Sequence, residues 1–305
     1  MKKLYGYLAP EGLEETLAKE LQEISYRYDR LFLSPQAPDQ VHFAQNIWFE
    51  PAFEPISSIS SGVKLLKSIQ RNWALFPFQN VRRSKLIEEG LPPLSKKLQT
   101  FPSPLPNHPL GSFTLIDANT LLYSHKCSSL FPNGEISFQE TKTPPSRAYL
   151  KLWEIFTLLQ KMPQKNETCL EIGASPGSWT YVLAALKSKV YCIDKAPIVD
   201  SLLKLPNVHF QKGDAFSLKP ENFPPIDWFF SDVICYPEKL YEFLTNWLPV
   251  CKNFVCTLKF QGTDHYHAIP LFKSIPGSHL YHLFNNKHEL TWVKLDASIP
   301  DSHYL

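Results

Sequence analysis

No stretch of this 305-residue chain approaches the roughly 20 consecutive apolar residues that a membrane-spanning helix needs. The first residues, MKKLYGYLAPEGLEETLAKEL, carry two lysines but no apolar segment behind them. They pass straight into an acidic, helix-forming run, so no secretory leader is expected. Charge of either sign is not in surplus: the formal net charge is +2, and a nucleic-acid partner has to be argued from local patches. The six cysteines (Cys127, Cys169, Cys192, Cys235, Cys251 and Cys256) form no CxxC pair, and most sit inside apolar runs. That pattern points to reduced, buried thiols in a cytoplasmic protein rather than a disulfide framework or a zinc site. Two glycine-rich nucleotide loops are also missing: neither G-x-x-x-x-G-K-[ST] nor G-x-G-x-x-G occurs. A nicotinamide dinucleotide and a phosphate-loop nucleotide are therefore disfavoured, and no internal repeat is visible.

What is present is an ordinary globular composition, 44% hydrophobic and 20% charged, enough for one large domain or two to three smaller ones. Residues 2–8 read as a strand, PEGLEETLAKELQEI as a helix with Leu13, Leu17 and Leu21 at helical spacing, and residues 41–49 as a second strand. Between 64 and 97 the composition turns basic. Lys64, Lys67, Arg71, Arg82, Arg83, Lys85, Lys96 and Lys97 face only Glu88 and Glu89, with Trp73, Phe76 and Phe78 interleaved. Two readings stay open: a solvated helix face over a local aromatic core, or an RNA-phosphate patch with aromatic stacking platforms. Residues 100–111 are too rich in proline for regular structure, and 113–124 predict a hairpin about Asp117-Ala118-Asn119.

From Pro144 onward apolar strands alternate with amphipathic helices. Strands are expected at 168–173, 189–194, 207–214, 227–233, 253–260 and 288–295, and helices at 177–187 and 238–248. This alternation predicts an α/β fold with a mostly parallel sheet covered by helices on both faces. In such sheets ligands sit beyond the carboxyl ends of the strands. The first strand ends in Glu171-Ile172-Gly173, and the loop Ala174-Ser175-Pro176-Gly177-Ser178 leads into the next helix. Gly173 and Gly177 leave room for close backbone approach. Asp194 ends the second strand, where a carboxylate can accept from both hydroxyls of a ribose, and Asp214 ends the third, within reach of an adenine amino group. A nucleoside without a pyrophosphate fits this set best, and S-adenosyl-L-methionine is the candidate cofactor.

EIGASPGSWTYVL, followed in order by CIDKAPI, GDAF, DWFFSDVICYP, CTLKF and HELTWV, resembles the FtsJ-like ribose 2′-O-methyltransferases. Among these it looks most like the bacterial enzymes that methylate a cytidine of 23S ribosomal RNA. The resemblance spans roughly residues 144–295. It implies a Rossmann-like S-adenosylmethionine-dependent methyltransferase sheet over residues 144–305. Ahead of it the family carries a ferredoxin-like α/β region, here residues 1–62, and a THUMP-like RNA-binding region with a proline-rich connection, here residues 63–143. It also implies a Lys-Asp-Lys-Glu set, which falls on Lys151, Asp232, Lys259 and Glu289. Lys259 is assigned as the base, Lys151 and Glu289 as orienting groups, and Asp232 as the partner of Lys259 near the cofactor. The implied cofactor-binding residues are Gly173, Ser175, Pro176, Gly177, Ser178, Trp179, Asp194, Asp214 and Asp232.

A lysine serves as base only when its pKa is brought toward the operating pH, and two lysines converging on one hydroxyl are expected to depress each other. The donor methyl is already activated, so no metal is expected. His265, His267 and His282 lack carboxylate or cysteine partners at ligand spacing and read as surface or packing histidines. The chain departs from the family at Ser178, commonly glycine, at Ser175, usually cysteine, and at Ala148, a cofactor-contacting serine in relatives. It also lacks the basic run that often follows the second lysine. The function so implied is methylation of an RNA ribose, with 23S ribosomal RNA before subunit assembly as the expected partner. Two alternatives stand beside it: a non-catalytic RNA-binding assembly factor on the same fold, and the same chemistry on transfer RNA.

Overall fold

The structure, a computed structural model, describes residues 2–95, 97–261 and 266–296. Two compact units meet in sequence between Phe138 and Gln139. Lys96 and His265 lie outside the described residues, as do positions 297–305 of the expected catalytic region. Among the described residues no helix is long and apolar enough to cross a membrane.

The first unit opens with β1 (Tyr5–Leu8), α1 (Glu14–Glu20), β2 (Tyr26–Tyr28), β3 (Leu31–Ser34) and β4 (Asn46–Trp48). These strands form an antiparallel sheet in the order β2-β3-β1-β4. That is the strand order of a ferredoxin-like split βαβ unit. Where its second helix would run there is only a 3₁₀ turn, Pro38–Gln40. Leu17 and Leu21, a helical turn apart, seat α1 on Tyr7 and Phe32.

The second sheet follows from β5 (Ala52–Pro55), α2 (Ile59–Ile69), β6 (Trp73–Leu75), α3 (Val81–Glu89), β7 (Gly111–Leu115) and β8 (Thr120–Ser124), in the order β5-β8-β7-β6. Helix α2 starts at a reciprocal Ser58–Ser61 capping box and crosses position 62, so the division expected there falls inside a helix. The hairpin forms as β7–β8, with the Asn119 N–H donating to Asp117 Oδ1 at 2.7 Å.

The aromatic side chains of the basic segment are not stacking platforms. Trp73 and Phe76 are buried, and Phe78 packs on the core cluster around Leu8, Leu31 and Trp48. The Trp73 indole is committed to the Leu66 and Gln70 carbonyls, each at 3.0 Å. The cations are another matter: Lys64, Lys67 and Arg71 are exposed, and their spacing sets them along one face of α2 and its C-terminal end.

The second unit contains α4 (Tyr149–Leu159), β9 (Thr168–Ile172), α5 (Ser178–Ala185), β10 (Lys189–Asp194), α6 (Asp200–Leu203) and β11 (Val208–Lys212). It continues with β12 (Trp228–Ser231), α7 (Pro237–Thr245), β13 (Asn253–Lys259), α8 (Ile269–Lys273), β14 (Ser278–Tyr281) and β15 (Glu289–Lys294). Its seven-stranded sheet has the order β11-β10-β9-β12-β13-β15-β14. The first five strands are parallel, and β15 is antiparallel to both β13 and β14. Every residue of β12 is buried, and β13 and β15 are buried but for their ends, as expected of a sheet with helices packed around it. The order of strand addition reverses between β9 and β12, which makes the gap beyond their carboxyl ends the switch point of the sheet.

Candidate active site

Four charged side chains converge at that switch point from four different elements. Lys151 lies in the first turn of α4, Asp232 directly follows β12, Lys259 ends β13 and Glu289 begins β15. Because β15 runs antiparallel to β13, its first residue pairs with the last of β13, and the register sets Glu289 opposite Lys259. Lys151 Nζ and Lys259 Nζ each lie 3.1 Å from the same oxygen, Asp232 Oδ1. Lys151 also reaches Glu289 Oε1 at 2.6 Å, and Lys259 donates to the Asp232 carbonyl oxygen at 2.5 Å. The two amines do gather, as the sequence implies.

The expected mutual depression is overturned for Lys151. Burial works to lower its pKa, but the carboxylates of Asp232 and Glu289 outweigh burial, and the ammonium is held above its ordinary value. Lys151 is thereby a fixed cation. Among the described residues Lys259 has one carboxylate partner rather than two, and it is about twice as exposed, with 22% of its side chain accessible against 11%.

Beside these groups opens a cavity of about 400 Å³, within the range of small-molecule sites. Gly173, Asp194 and Asp214 line it, together with Val233, which follows Asp232, and Gln261, two residues past Lys259. The Asp194 carboxylate accepts the Ser175 N–H on Oδ2 and the Ala196 N–H on Oδ1, both at 2.9 Å, so its oxygens are fixed at the cavity wall with a lone pair each to spare. Asp214 caps a 3₁₀ turn: the Phe216 N–H and, secondarily, Lys195 hold its carboxyl below the usual range.

Gly213 was not singled out from sequence. A Cβ there meets nothing within 4 Å, so the space its side chain would fill is open, on a residue that lines the cavity. Acceptors at two strand ends beside an unfilled cradle fit an adenosyl group. Of the remaining lining residues, Lys195, Ile234, Cys235 and Tyr236 sit in loops that a single sequence cannot orient, Ala215 and Phe216 in the 3₁₀ turn that Asp214 caps, and Lys239 in the first turn of α7.

Other loop positions serve the fold. Gly173 has φ +72°, and a Cβ on it would lie 2.6 Å from Val233 Cα. Gly177 has φ +113°, and a Cβ on it would lie 2.5 Å from Leu202. The close approach that excludes side chains at these glycines is therefore made by the protein's own chain, not only by a ligand. Ser178 is buried, with its Oγ 2.7 Å from Ser146 Oγ. The Trp179 indole is buried and donates to the Ala148 carbonyl at 3.0 Å, tying α5 to the start of α4. Ser175 Oγ donates to the Pro197 carbonyl, and Pro176 is exposed. Ser175, Pro176, Gly177, Ser178, Trp179 and Asp232 do not line the cavity. Five of them shape the loop, and Asp232 belongs to the charged cluster.

His267 and His282 have local partners. His267 lies 2.7 Å from Glu238, and burial pushes His282 down to about 4. Among the described residues no group of three or more His, Cys, Asp or Glu is placed to hold a metal ion. All six cysteines are free thiols.

The FtsJ-like methyltransferase family model matches residues 144–275. Proteins named ribosomal RNA large subunit methyltransferase M are similar to just under half of the chain. The Pseudomonas putida protein is 31% identical over 150 residues, 47% of this chain and 42% of its own length. The Halorhodospira halophila protein is 32% identical over 121 residues, 39% and 35% of the two lengths. The Idiomarina loihiensis protein is 28% identical over 156 residues, 48% and 42%. The matched stretch thus spans less than half the length of these relatives. Lys151, Asp232, Lys259 and strands β9 to β13 lie inside the stretch that is similar to the FtsJ-like methyltransferase model, and the strand order there accords with that match; β14, β15 and Glu289 lie beyond it.

Proposed function

We propose that this protein transfers the methyl group of S-adenosylmethionine to a ribose 2′-hydroxyl of RNA, and that its substrate is large-subunit ribosomal RNA before subunit assembly, in the cytoplasm. The observation that carries the reading is the convergence of Lys151 and Lys259 on one oxygen of Asp232, with Glu289 behind Lys151. The substrate class draws support from the relatives' names.

S-adenosylmethionine, when bound, supplies a methyl group already activated as a sulfonium. Asp194 and Asp214 would hold its ribose hydroxyls and adenine amino group. The chain's own task is then to orient the acceptor hydroxyl and remove its proton. Lys151, fixed as a cation, and Glu289 orient the hydroxyl, and Lys259 Nζ takes the proton as the oxygen–carbon bond forms. Asp232 then faces the new ammonium at 3.1 Å. Much of the acceleration comes from alignment, which can amount to roughly 7–11 kcal/mol of barrier. With Lys259 neutral as the base, Lys151 and the two carboxylates leave the cluster with a net charge of −1, and the proton that Lys259 takes brings it to neutrality as the methyl group is transferred. A non-catalytic protein gains nothing from burying such a cluster.

In the first unit, the exposed Lys64, Lys67 and Arg71 support a role in gripping RNA phosphates. The test is transfer of labelled methyl to protein-free large-subunit RNA, assembled subunits and transfer RNA, by wild type and Lys259→Ala. Ribose methylation of the large-subunit RNA that is lost in the variant is expected. Equal methylation by both proteins rules the mechanism out, and transfer only to transfer RNA replaces the substrate.

A further inference from the structure

Glu154 takes no part in the reaction described above, yet it is among the most deeply buried acids of the protein, 2% exposed. It lies three residues after Lys151 on α4, so the two side chains leave the same side of that helix. Its carboxylate accepts three hydrogen bonds from the segment between β14 and β15. Oε1 takes the Phe284 N–H at 2.6 Å, and Oε2 takes the Asn285 N–H at 2.9 Å and Asn285 Nδ2 at 2.7 Å. Those donors have no strand or helix of their own to pair with.

One residue further on, buried Asn286 fastens the segment at its other end. Its Nδ2 donates to the Glu289 carbonyl oxygen and to Thr291 Oγ1, both at 3.2 Å. A short path of fixed groups thus runs from α4 through Glu154, residues 284–286 and Asn286 to the backbone of Glu289, whose side chain returns to Lys151 at 2.6 Å.

We propose that Glu154 is a positioning residue, which holds the 284–286 segment against α4 and so sets the distance between Glu289 and Lys151. The inference rests on the reading of the site as an RNA methyltransferase. The chemistry of the side chain favours it. Three donors need two acceptor oxygens, which only a carboxylate offers; glutamine would turn an NH2 group toward one or more of them. Burial pushes the Glu154 carboxyl up to about 7 despite those bonds, a cost that a purely structural loop anchor has no need to carry.

The test is a double-mutant cycle on the full chain, with Glu154→Gln, Glu289→Gln and the pair. It is read as single-turnover methyl transfer and as S-adenosylhomocysteine affinity by calorimetry. Glu154→Gln is expected to slow transfer on the order of 10- to 100-fold, with cofactor affinity within twofold of wild type. In the Glu289→Gln background it is expected to cost almost nothing more, because its effect passes through Glu289. Additive losses, an unchanged rate, or cofactor affinity falling in step with the rate overturn the proposal. If Glu154→Gln does not fold, Asn286→Ala loosens the same segment from its other end and must reproduce the slow transfer with intact cofactor binding; a wild-type rate there overturns the proposal equally. A wild type that binds S-adenosylhomocysteine but methylates no RNA sinks the underlying function instead, and this inference with it.

Discussion

Lys151 and Glu289 meet at 2.6 Å with both side chains close to nine-tenths buried. This contact, with Asp232 on the other side of the ammonium, is what keeps Lys151 charged against the penalty of burial. Glu289→Gln removes one of its two carboxylates and leaves Asp232 alone to hold the Lys151 ammonium. Methyl transfer is expected to fall on the order of 10- to 100-fold while S-adenosylhomocysteine binding stays within twofold, since Glu289 does not line the cavity. Single-turnover rates beside calorimetric affinities check this. A loss of affinity equal to the loss of rate would place Glu289 in the cofactor site instead.

Asp194 carries the opposite expectation. Its two oxygens are held by the Ser175 and Ala196 N–H groups and face the cavity. In Asp194→Asn, one oxygen becomes an NH2 group set against a backbone donor, and an acceptor for a ribose hydroxyl is lost. The affinity for S-adenosylhomocysteine should drop by about 100-fold, or about 3 kcal/mol. Transfer at saturating cofactor should fall far less.

The sheet of the second unit was legible in the sequence because its strands are continuous apolar runs ending in turn residues. The expected strand at 189–194 matches β10, and that at 253–260 overruns β13 by one residue. β14 escaped because Ser278–Tyr281 is only four residues long and opens on a serine and a histidine, and β2 escaped because it is three residues long with Arg27 at its centre. The charged cluster could be read from ordered motifs, since each of its residues lies at or beside a strand end or in the first turn of a helix. The cavity wall could not. Whether Ile234 or Tyr236 turns inward depends on loop backbone angles that composition does not encode, and Glu154 looks like any polar residue of a helix until its loop donors are placed. Gly173 shows a subtler gap: its pattern identifies the place but not that Val233 is what crowds it.

Two glycines separate binding from folding. Gly213→Val projects a side chain where nothing lies within 4 Å of the first added carbon, on the cavity wall. It should weaken S-adenosylhomocysteine binding at least about tenfold, with the melting temperature nearly unchanged, because the cost falls on the ligand. Gly173→Ala forces a Cβ to 2.6 Å from Val233 Cα at φ +72°. It should destabilise the fold by about 2–4 kcal/mol, read as a lower denaturation midpoint. A stable Gly173→Ala protein would show that the loop relaxes easily.

The basic side of α2 makes a prediction about salt. Lys64, Lys67 and Arg71 are exposed cations at helical spacing. If each neutralises one phosphate of an unpaired RNA segment, replacing all three with alanine removes about two from the slope of log affinity against log salt. Filter binding at several salt concentrations measures it. Methylation of a short RNA fragment at saturating concentration should be unaffected, because these residues belong to the first unit. An unchanged slope removes α2 from the RNA-binding surface.

Glu171 makes stability depend on pH in the direction opposite to most carboxylates. It is buried at the end of β9, where Thr180 Oγ1 donates to it at 2.6 Å, and burial pushes its carboxyl up to about 8, with Asp232 and Asp194 adding to the shift. A raised folded-state value means the native protein keeps a proton that the unfolded chain has released from about pH 4.5 upward. The native state then binds more protons than the unfolded state, so its stability is fully present below about pH 4.5 and drains away as pH rises toward 8. Glu171→Gln keeps an acceptor for Thr180 and has no proton to lose. Relative to this variant, wild type should lose about 3 kcal/mol between pH 5 and pH 8, measured as the change in the difference of urea midpoints. Parallel pH profiles for the two proteins would mean that Glu171 titrates near its ordinary value, with solvent or a neighbouring cation reaching it beneath the loop.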